Sequence, residues 1–157
     1  MFKSVNELNQ LCFDDCVIAD FEKAEDGLIV NVEALIIKAN NSQNTNYTES
    51  YAGSTVIKIS EATVTDISKC GYRYYDADGK LIREVPDEPV NMLQWDSLIK
   101  SFSGNYLPSL EKEGQEYLLE IEMTDEEDGC QGYTYLMRVK GTDITVTWDK
   151  YLNRVQK

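Results

Sequence analysis

The run Tyr117-Leu118-Leu119-Glu120-Ile121-Glu122-Met123 alternates, with apolar side chains at the odd positions and glutamates at two of the three even ones. Successive side chains of a strand point to opposite faces, so this is the pattern of a half-buried strand. The same parity continues through Tyr133, Tyr135, Met137 and Val139, and then through Ile144, Val146 and Trp148. Three consecutive strands are predicted, and their register is constrained because a slip of one residue would turn a whole apolar set into water. Met123 is expected opposite Tyr133 and Val139 opposite Ile144. The resulting layers are Ile121, Tyr135 and Trp148, then Leu119, Met137 and Val146, then Tyr117, Val139 and Ile144. On this reading Lys140-Gly141-Thr142-Asp143 is a short hairpin turn, and residues 124–132 form a long one carrying Asp125-Glu126-Glu127-Asp128.

A meander of this kind buries one face only, so the rest of the chain must supply a second layer. Upstream, Val17, Ala19 and Phe21 alternate with acids, Glu25-Asp26-Gly27 signals a turn, and Leu28, Val30, Val32, Ala34 and Ile36 form a return strand. Ile29, Leu35 and Ile37 make its other face apolar as well, which predicts a central position in the sheet. Val30, Val32 and Ile36 are expected to share one core with the three closing strands. Further strand signals cover residues 55–59 and 63–67, and Asp76-Ala77-Asp78-Gly79 joins Tyr72-Arg73-Tyr74-Tyr75 to residues 80–85 in a hairpin.

Two helices are predicted. Ser4-Val5-Asn6-Glu7 has the form of a capping box and is followed by Leu8, Leu11 and Cys12 at helical spacing, which gives a short N-terminal helix. Asn91, with Gln94 three residues on, caps an amphipathic helix predicted over about residues 92–103, whose apolar face is Met92, Trp95, Leu98, Ile99 and Phe102, with Gly104 placed to end it. Residues 105–115 read as a connection and residues 39–53 as a polar loop. The whole is a mainly β single domain over residues 1–157, an antiparallel sandwich or curved sheet of about eight or nine strands with a helix closing one end. A partly open barrel satisfies the same pattern.

Hydrophobic content of 42% with nine Gly and three Pro is that of a globular protein, without low-complexity segments. The net charge of −13 opposes binding to DNA, RNA or anionic membranes and suits a cationic protein partner. No apolar run approaches the roughly 20 residues of a membrane span, and the N-terminus lacks a secretory apolar core, so a cytoplasmic protein with reduced thiols is expected. Cys12, Cys16, Cys70 and Cys130 have no Cys-x-x-Cys spacing and read as packed thiols.

The absence of histidine excludes Ser-His-Asp and Cys-His nucleophilic sites and histidine-liganded zinc. Asp76-x-Asp78-Gly79 opens like a calcium loop but lacks the later ligands, residue 87 being Asp where a bidentate Glu belongs. No metal or other cofactor is expected. A carboxylate pair would serve a third kind of protein, an enzyme, but no spacing singles one out. Tyr47 and Tyr51, set among Asn40, Asn41, Asn44 and Asn46, offer stacking and hydrogen bonding to a carbohydrate or other small ligand.

Phe13-Asp14-Asp15-Cys16-Val17-Ile18, Tyr74-Tyr75-Asp76-Ala77-Asp78-Gly79-Lys80-Leu81-Ile82 and Asp143-Ile144-Thr145-Val146-Thr147-Trp148 together resemble small, acidic, β-rich bacterial proteins of unknown function. Some of that group resemble immunity proteins, which neutralise toxins by binding them. The middle motif is also similar to a single Tyr-Asp repeat of large toxin shells. The resemblance implies a non-enzymatic protein-binding module. The residues expected to meet its partner are Asp125, Glu126, Glu127 and Asp128, with Tyr47 and Tyr51.

Overall fold

The computed structural model describes residues 1–124 and 133–155. Its strands are β1 (Phe2–Val5), β2 (Leu11–Cys12), β3 (Val17–Ala24), β4 (Gly27–Glu33), β5 (Ile36–Ile37), β6 (Ser50–Ala52), β7 (Thr55–Ser60), β8 (Thr63–Lys69), β9 (Tyr72–Tyr75), β10 (Leu81–Val85) and β11 (Glu88–Pro89). The helix α1 (Trp95–Ser101) follows, then β12 (Tyr106–Glu113), β13 (Glu116–Met123), β14 (Tyr133–Lys140), β15 (Ile144–Trp148) and β16 (Tyr151–Arg154). Ten strands form one antiparallel sheet in the order β1-β15-β7-β4-β3-β12-β13-β14-β8-β11. A second sheet, β16-β6-β5-β2, and the separate pair β10-β9 complete the mainly β fold, which contains no closed barrel.

Connection lengths show that the large sheet curls. β7 and β8 are six places apart in the order but are joined through Glu61 and Ala62 alone. Six inter-strand steps of a flat sheet span about 29 Å, whereas three peptide links reach about 11 Å at most. The passage from β14 to β15 makes the same jump through Gly141, Thr142 and Asp143. The two halves therefore face each other across one core, which takes in Ile18, Val30, Val32, Ile57, Ile59, Val146 and Trp148 from one half and Leu110, Tyr117, Leu119, Ile121, Met137 and Val139 from the other.

The predicted register is half right. Met123 pairs with Tyr133, Ile121 with Tyr135, Leu119 with Met137 and Tyr117 with Val139. Val139 does not pair with Ile144, because β14 pairs with β8 while β15 pairs with β7 and β1. Trp148, Val146 and Ile144 reach the same core from the facing half, and alternation alone reports the buried face, not which strand lies alongside. Residues 140–143 thus form a crossover between the halves. Tyr117 Oη donates to Thr142 O at 2.9 Å, and Thr142 N donates to Ser60 O at 2.9 Å. A Cβ at Gly141 would stand 2.5 Å from Ile59 Cγ2 and 3.6 Å from the Tyr117 ring, so the crossover squeezes between side chains of both halves.

The N-terminal helix is absent. Residues 2–5 are the edge strand β1 against β15, and only a single 3-10 turn, Leu8–Gln10, follows. Pairing with β15 supplies more backbone hydrogen bonds than a short isolated helix could, and the tertiary context overrides the local signal. The second helix is shorter than predicted. Asn91 accepts from Leu93 N over a 3-10 turn, Met92–Gln94, and α1 begins only at Trp95. Trp95, Ile99 and Phe102 are buried as predicted, whereas Met92 is 69% exposed. Residues 105–115, read as a connection, contain β12, whose alternation is broken by a register shift between Tyr106 and Ser109 that buries both Leu107 and Leu110. Ala34 adopts a left-handed backbone, φ 59°, which reverses the alternation of the predicted return strand. Leu35 and Ile37 consequently join the core cluster in place of Ile36.

Candidate functional site

Adjacent strands β12, β13 and β14 turn one face to solvent. Across it Glu113 stands opposite Glu116, Glu111 opposite Leu118, Ser109 opposite Glu120 and Tyr106 opposite Glu122. On the far side of β13, Leu118 faces Arg138 and Glu120 faces Leu136. Tyr106, Leu118 and Leu136 therefore lie among glutamates, of which Glu111, Glu113, Glu120 and Glu122 are exposed. Like charges directly opposite one another destabilise a sheet. Glu116 faces Lys140 and accepts from Thr65 Oγ1 at 2.7 Å, but among the described residues the salt bridges are Lys23 with Asp96, Lys58 with Asp26 and Arg73 with Glu84, so none involves a glutamate of this face. The predicted contacts Asp125, Glu126, Glu127 and Asp128 belong to the segment between β13 and β14 and lie outside the described residues, as does Cys130.

Tyr47 and Tyr51 do not form a joint platform. Tyr47 projects 89% exposed from a left-handed backbone, φ 58°. Tyr51 lies in β6, and its Oη donates to Asp15 Oδ2 at 2.6 Å, the bond that chiefly raises its own titration. It borders a cavity of about 550 Å³ with Glu33, Gly53, Asp149, Lys150 and Leu152, a set that does not include Tyr47. The asparagines around them serve the fold. Asn44 Nδ2 donates to the carbonyls of Ile37, Lys38 and Thr48, and its Oδ1 accepts from Asn46 N. Asn41 Nδ2 donates to Ser4 Oγ at 3.2 Å. Glu7, predicted to cap a helix, instead accepts from Ser42 N and Oγ and from Ser4 Oγ. Partial burial pushes its carboxyl up, but the hydrogen bonds from Ser42 and Ser4 outweigh that and hold it below the usual range.

A larger cavity, about 680 Å³, opens between the N-terminal turn and β12 and is lined by Asn6, Cys12, Asp14, Lys38, Glu111 and Lys112 among others. A thiol beside a carboxylate and an amine is the nearest approach to a nucleophilic site here. Burial raises the Cys12 thiol, and Asp14 adds to the rise through its side chain, which suppresses the reactive thiolate. Cys16 lies deeper, and burial pushes its thiol up to about 12. Neither cysteine is activated as a catalytic nucleophile must be.

The hairpin β9-β10 forms where the Asp-Gly turn predicts it. Its turn is set by Asp76, whose Oδ1 accepts from Asp78 N and Lys80 N, both at 2.9 Å, with Gly79 at φ 79°. That carboxylate oxygen, compared earlier with a calcium ligand, is engaged in closing the loop. Among the described residues the hairpin pairs with no other strand, and Tyr72, Tyr74, Tyr75, Leu81 and Ile82 are 43–67% exposed. It rises from the β8-β11 pair, and at its base Gly71 N donates to Asp87 Oδ1 at 2.6 Å.

No protein-family model matches the chain, and neither a curated protein nor a solved structure is detectably similar to it. No helix among the described residues is long and apolar enough to cross a membrane. The acidic face was partly legible as Glu120 and Glu122 alternating with apolar residues. The contribution of Glu111 and Glu113 was hidden because β12 was read as a connection.

Proposed function

We propose that this protein is a non-enzymatic binding module that presents an acidic surface to a cationic protein, as an immunity protein does to a toxin. The observation that carries the reading is the outer face of β12, β13 and β14, where glutamates stand across from and beside one another around Tyr106, Leu118 and Leu136. An apolar centre among glutamates that Arg138 and Lys140 offset only in part costs the isolated fold stability and gains from a basic surface that neutralises the remainder. Asp125, Glu126, Glu127 and Asp128 extend the acidic sequence between two of these strands. With a net charge of −13, long-range attraction speeds encounter with a cationic partner and repels nucleic acid. The module works in the cytoplasm on this reading, where Cys12, Cys16 and Cys70 stay as free thiols. Carbohydrate binding has less support than the acidic face, because Tyr51 borders a cavity that Tyr47 does not line.

Affinity capture from the source cell tests the proposal with two baits, the native chain and the variant Glu111→Gln, Glu113→Gln, Glu120→Gln, Glu122→Gln. A basic protein retained by the native bait, lost on the variant and weakened as salt rises from about 50 to 500 mM is the expected result, because the Debye length falls over that range. Capture of no protein at either salt, or equal capture by both baits, overturns it.

A further inference from the structure

We infer that the β9-β10 hairpin is a self-association arm, through which two copies of this chain pair along the open edge of β9. An isolated two-stranded ribbon is marginally stable in water, and this one exposes tyrosines on both faces and pairs with no further strand among the described residues. Its charge distinguishes it from the rest of the molecule. Arg73, Lys80 and Arg83 balance Asp76, Asp78 and Glu84 one for one, on a chain whose net charge is −13. An arm built for the cationic partner of the acidic face would be acidic too. A neutral, tyrosine-rich arm of mixed charge can meet its own copy, and there a second, equally acidic chain can approach without net charge repulsion between the contacting segments.

The geometry selects β9 over β10 as the pairing edge. The register of β10 shifts between Leu81 and Arg83, and the extra residue, Ile82, bulges that strand. Bulges blunt an edge, whereas β9 offers four regular residues without proline. Antiparallel pairing of β9 with its copy makes a four-stranded sheet around a two-fold axis. It also extends onto the second copy the aromatic face begun by Tyr72 and Tyr74, whose rings already meet edge-on at 5.0 Å. The ribbon is about 13 to 17 Å long at the usual rise per residue, and the Debye length is about 10 Å at 0.1 M salt. Repulsion between the two acidic bodies is therefore largely screened at moderate salt and strong at low salt. Self-association must then strengthen as salt rises, the opposite of the dependence expected for the acidic face.

Sedimentation equilibrium of the full chain at about 50 and 500 mM salt, up to about 0.5 mM protein, tests this against Tyr72→Thr/Tyr74→Thr and Tyr74→Glu. Threonine keeps strand propensity while removing the rings, so loss of association by that variant is not explained by loss of the strand. The expected result is a native dimer that tightens with salt and weakens at least about tenfold in both variants, with far-ultraviolet circular dichroism reporting an intact body. A native chain that stays monomeric at both salts overturns the inference and leaves the arm to a different molecule. A dimer that neither variant weakens overturns it too, since the contact then lies elsewhere.

Discussion

The asparagine-rich loop and the tyrosine hairpin occupy the places that composition would give to each other. Asn41 and Asn44 are 4% and 8% exposed, while Tyr74 and Ile82 are 43% and 67% exposed. What separates the two regions is whether each group finds a partner. Both polar atoms of the Asn44 side chain have backbone partners, and a buried amide so satisfied carries little penalty. The hairpin pairs its two strands with each other and closes its turn through Asp76, yet its apolar side chains meet no second layer among the described residues. A region is held in the fold by completed contacts rather than by residue type.

The apolar core sets the scale for this contrast. Trp148 is 1% exposed and stacks on Phe2 with ring centroids 5.6 Å apart. Trp148→Ala is expected to lower unfolding free energy by about 3 to 5 kcal/mol in urea titration. Tyr135, predicted to be equally buried, is half-buried against the core, and Tyr135→Ala is expected to cost less, about 1 to 3 kcal/mol. Equal losses would mean that partial burial is a poor guide here.

Asn44→Ala comes next. It leaves the carbonyls of Ile37, Lys38 and Thr48 without their donor, and about 1 to 3 kcal/mol should be lost. Tyr47→Ala in the same loop, with its ring 89% exposed, is expected to change stability by less than about 0.5 kcal/mol. If the two substitutions proved equivalent, the buried amides would not be what holds the loop.

The sequence revealed faces better than it revealed neighbours. Tyr117, Leu119 and Ile121 were placed on the core side because period-two alternation is a local property of one strand. The pairing of β15 with β7 was not legible, because residues facing one another across a core carry the same parity as residues paired within a sheet. β12 was missed where its register shift spaced Leu107 and Leu110 three apart, off both the strand and the hairpin pattern. Glu7 was read as a capping residue, and it does accept from Ser4, but its other bonds go to Ser42, distant in sequence. For the candidate site, Glu120 and Glu122 were visible as the polar half of the alternation. Their assembly with Glu111 and Glu113 required the tertiary pairing of β12 with β13.

The Glu7 anchor gives the loop a pH dependence. Its carboxyl is held below the ordinary value of 4.5 in the folded protein. A group whose folded pKa is depressed contributes stability above its unfolded value, and that contribution is lost as pH falls through the folded one. Glu7→Gln should therefore reduce the melting temperature at neutral pH and make progressively less difference as pH drops below about 4.5. A difference that stayed constant from pH 7 to pH 3 would show that the charge on Glu7 plays no part in tying Ser42 to the N-terminal turn.

The smallest effect is expected in the hairpin itself. Tyr72→Thr/Tyr74→Thr removes two rings that contact one another, and neither belongs to the core cluster. Threonine suits a strand as well as tyrosine does, and the Asp76 turn and the Arg73–Glu84 bond at 3.1 Å remain to hold the ribbon. At protein concentrations of about 1 μM, low enough to disfavour association, the double variant should unfold within about 0.5 kcal/mol of the native chain. Loss of more than about 2 kcal/mol under those conditions would mean that the rings support the body of the protein. The contrast between a buried polar loop and an uncovered aromatic arm would then fail at its aromatic end.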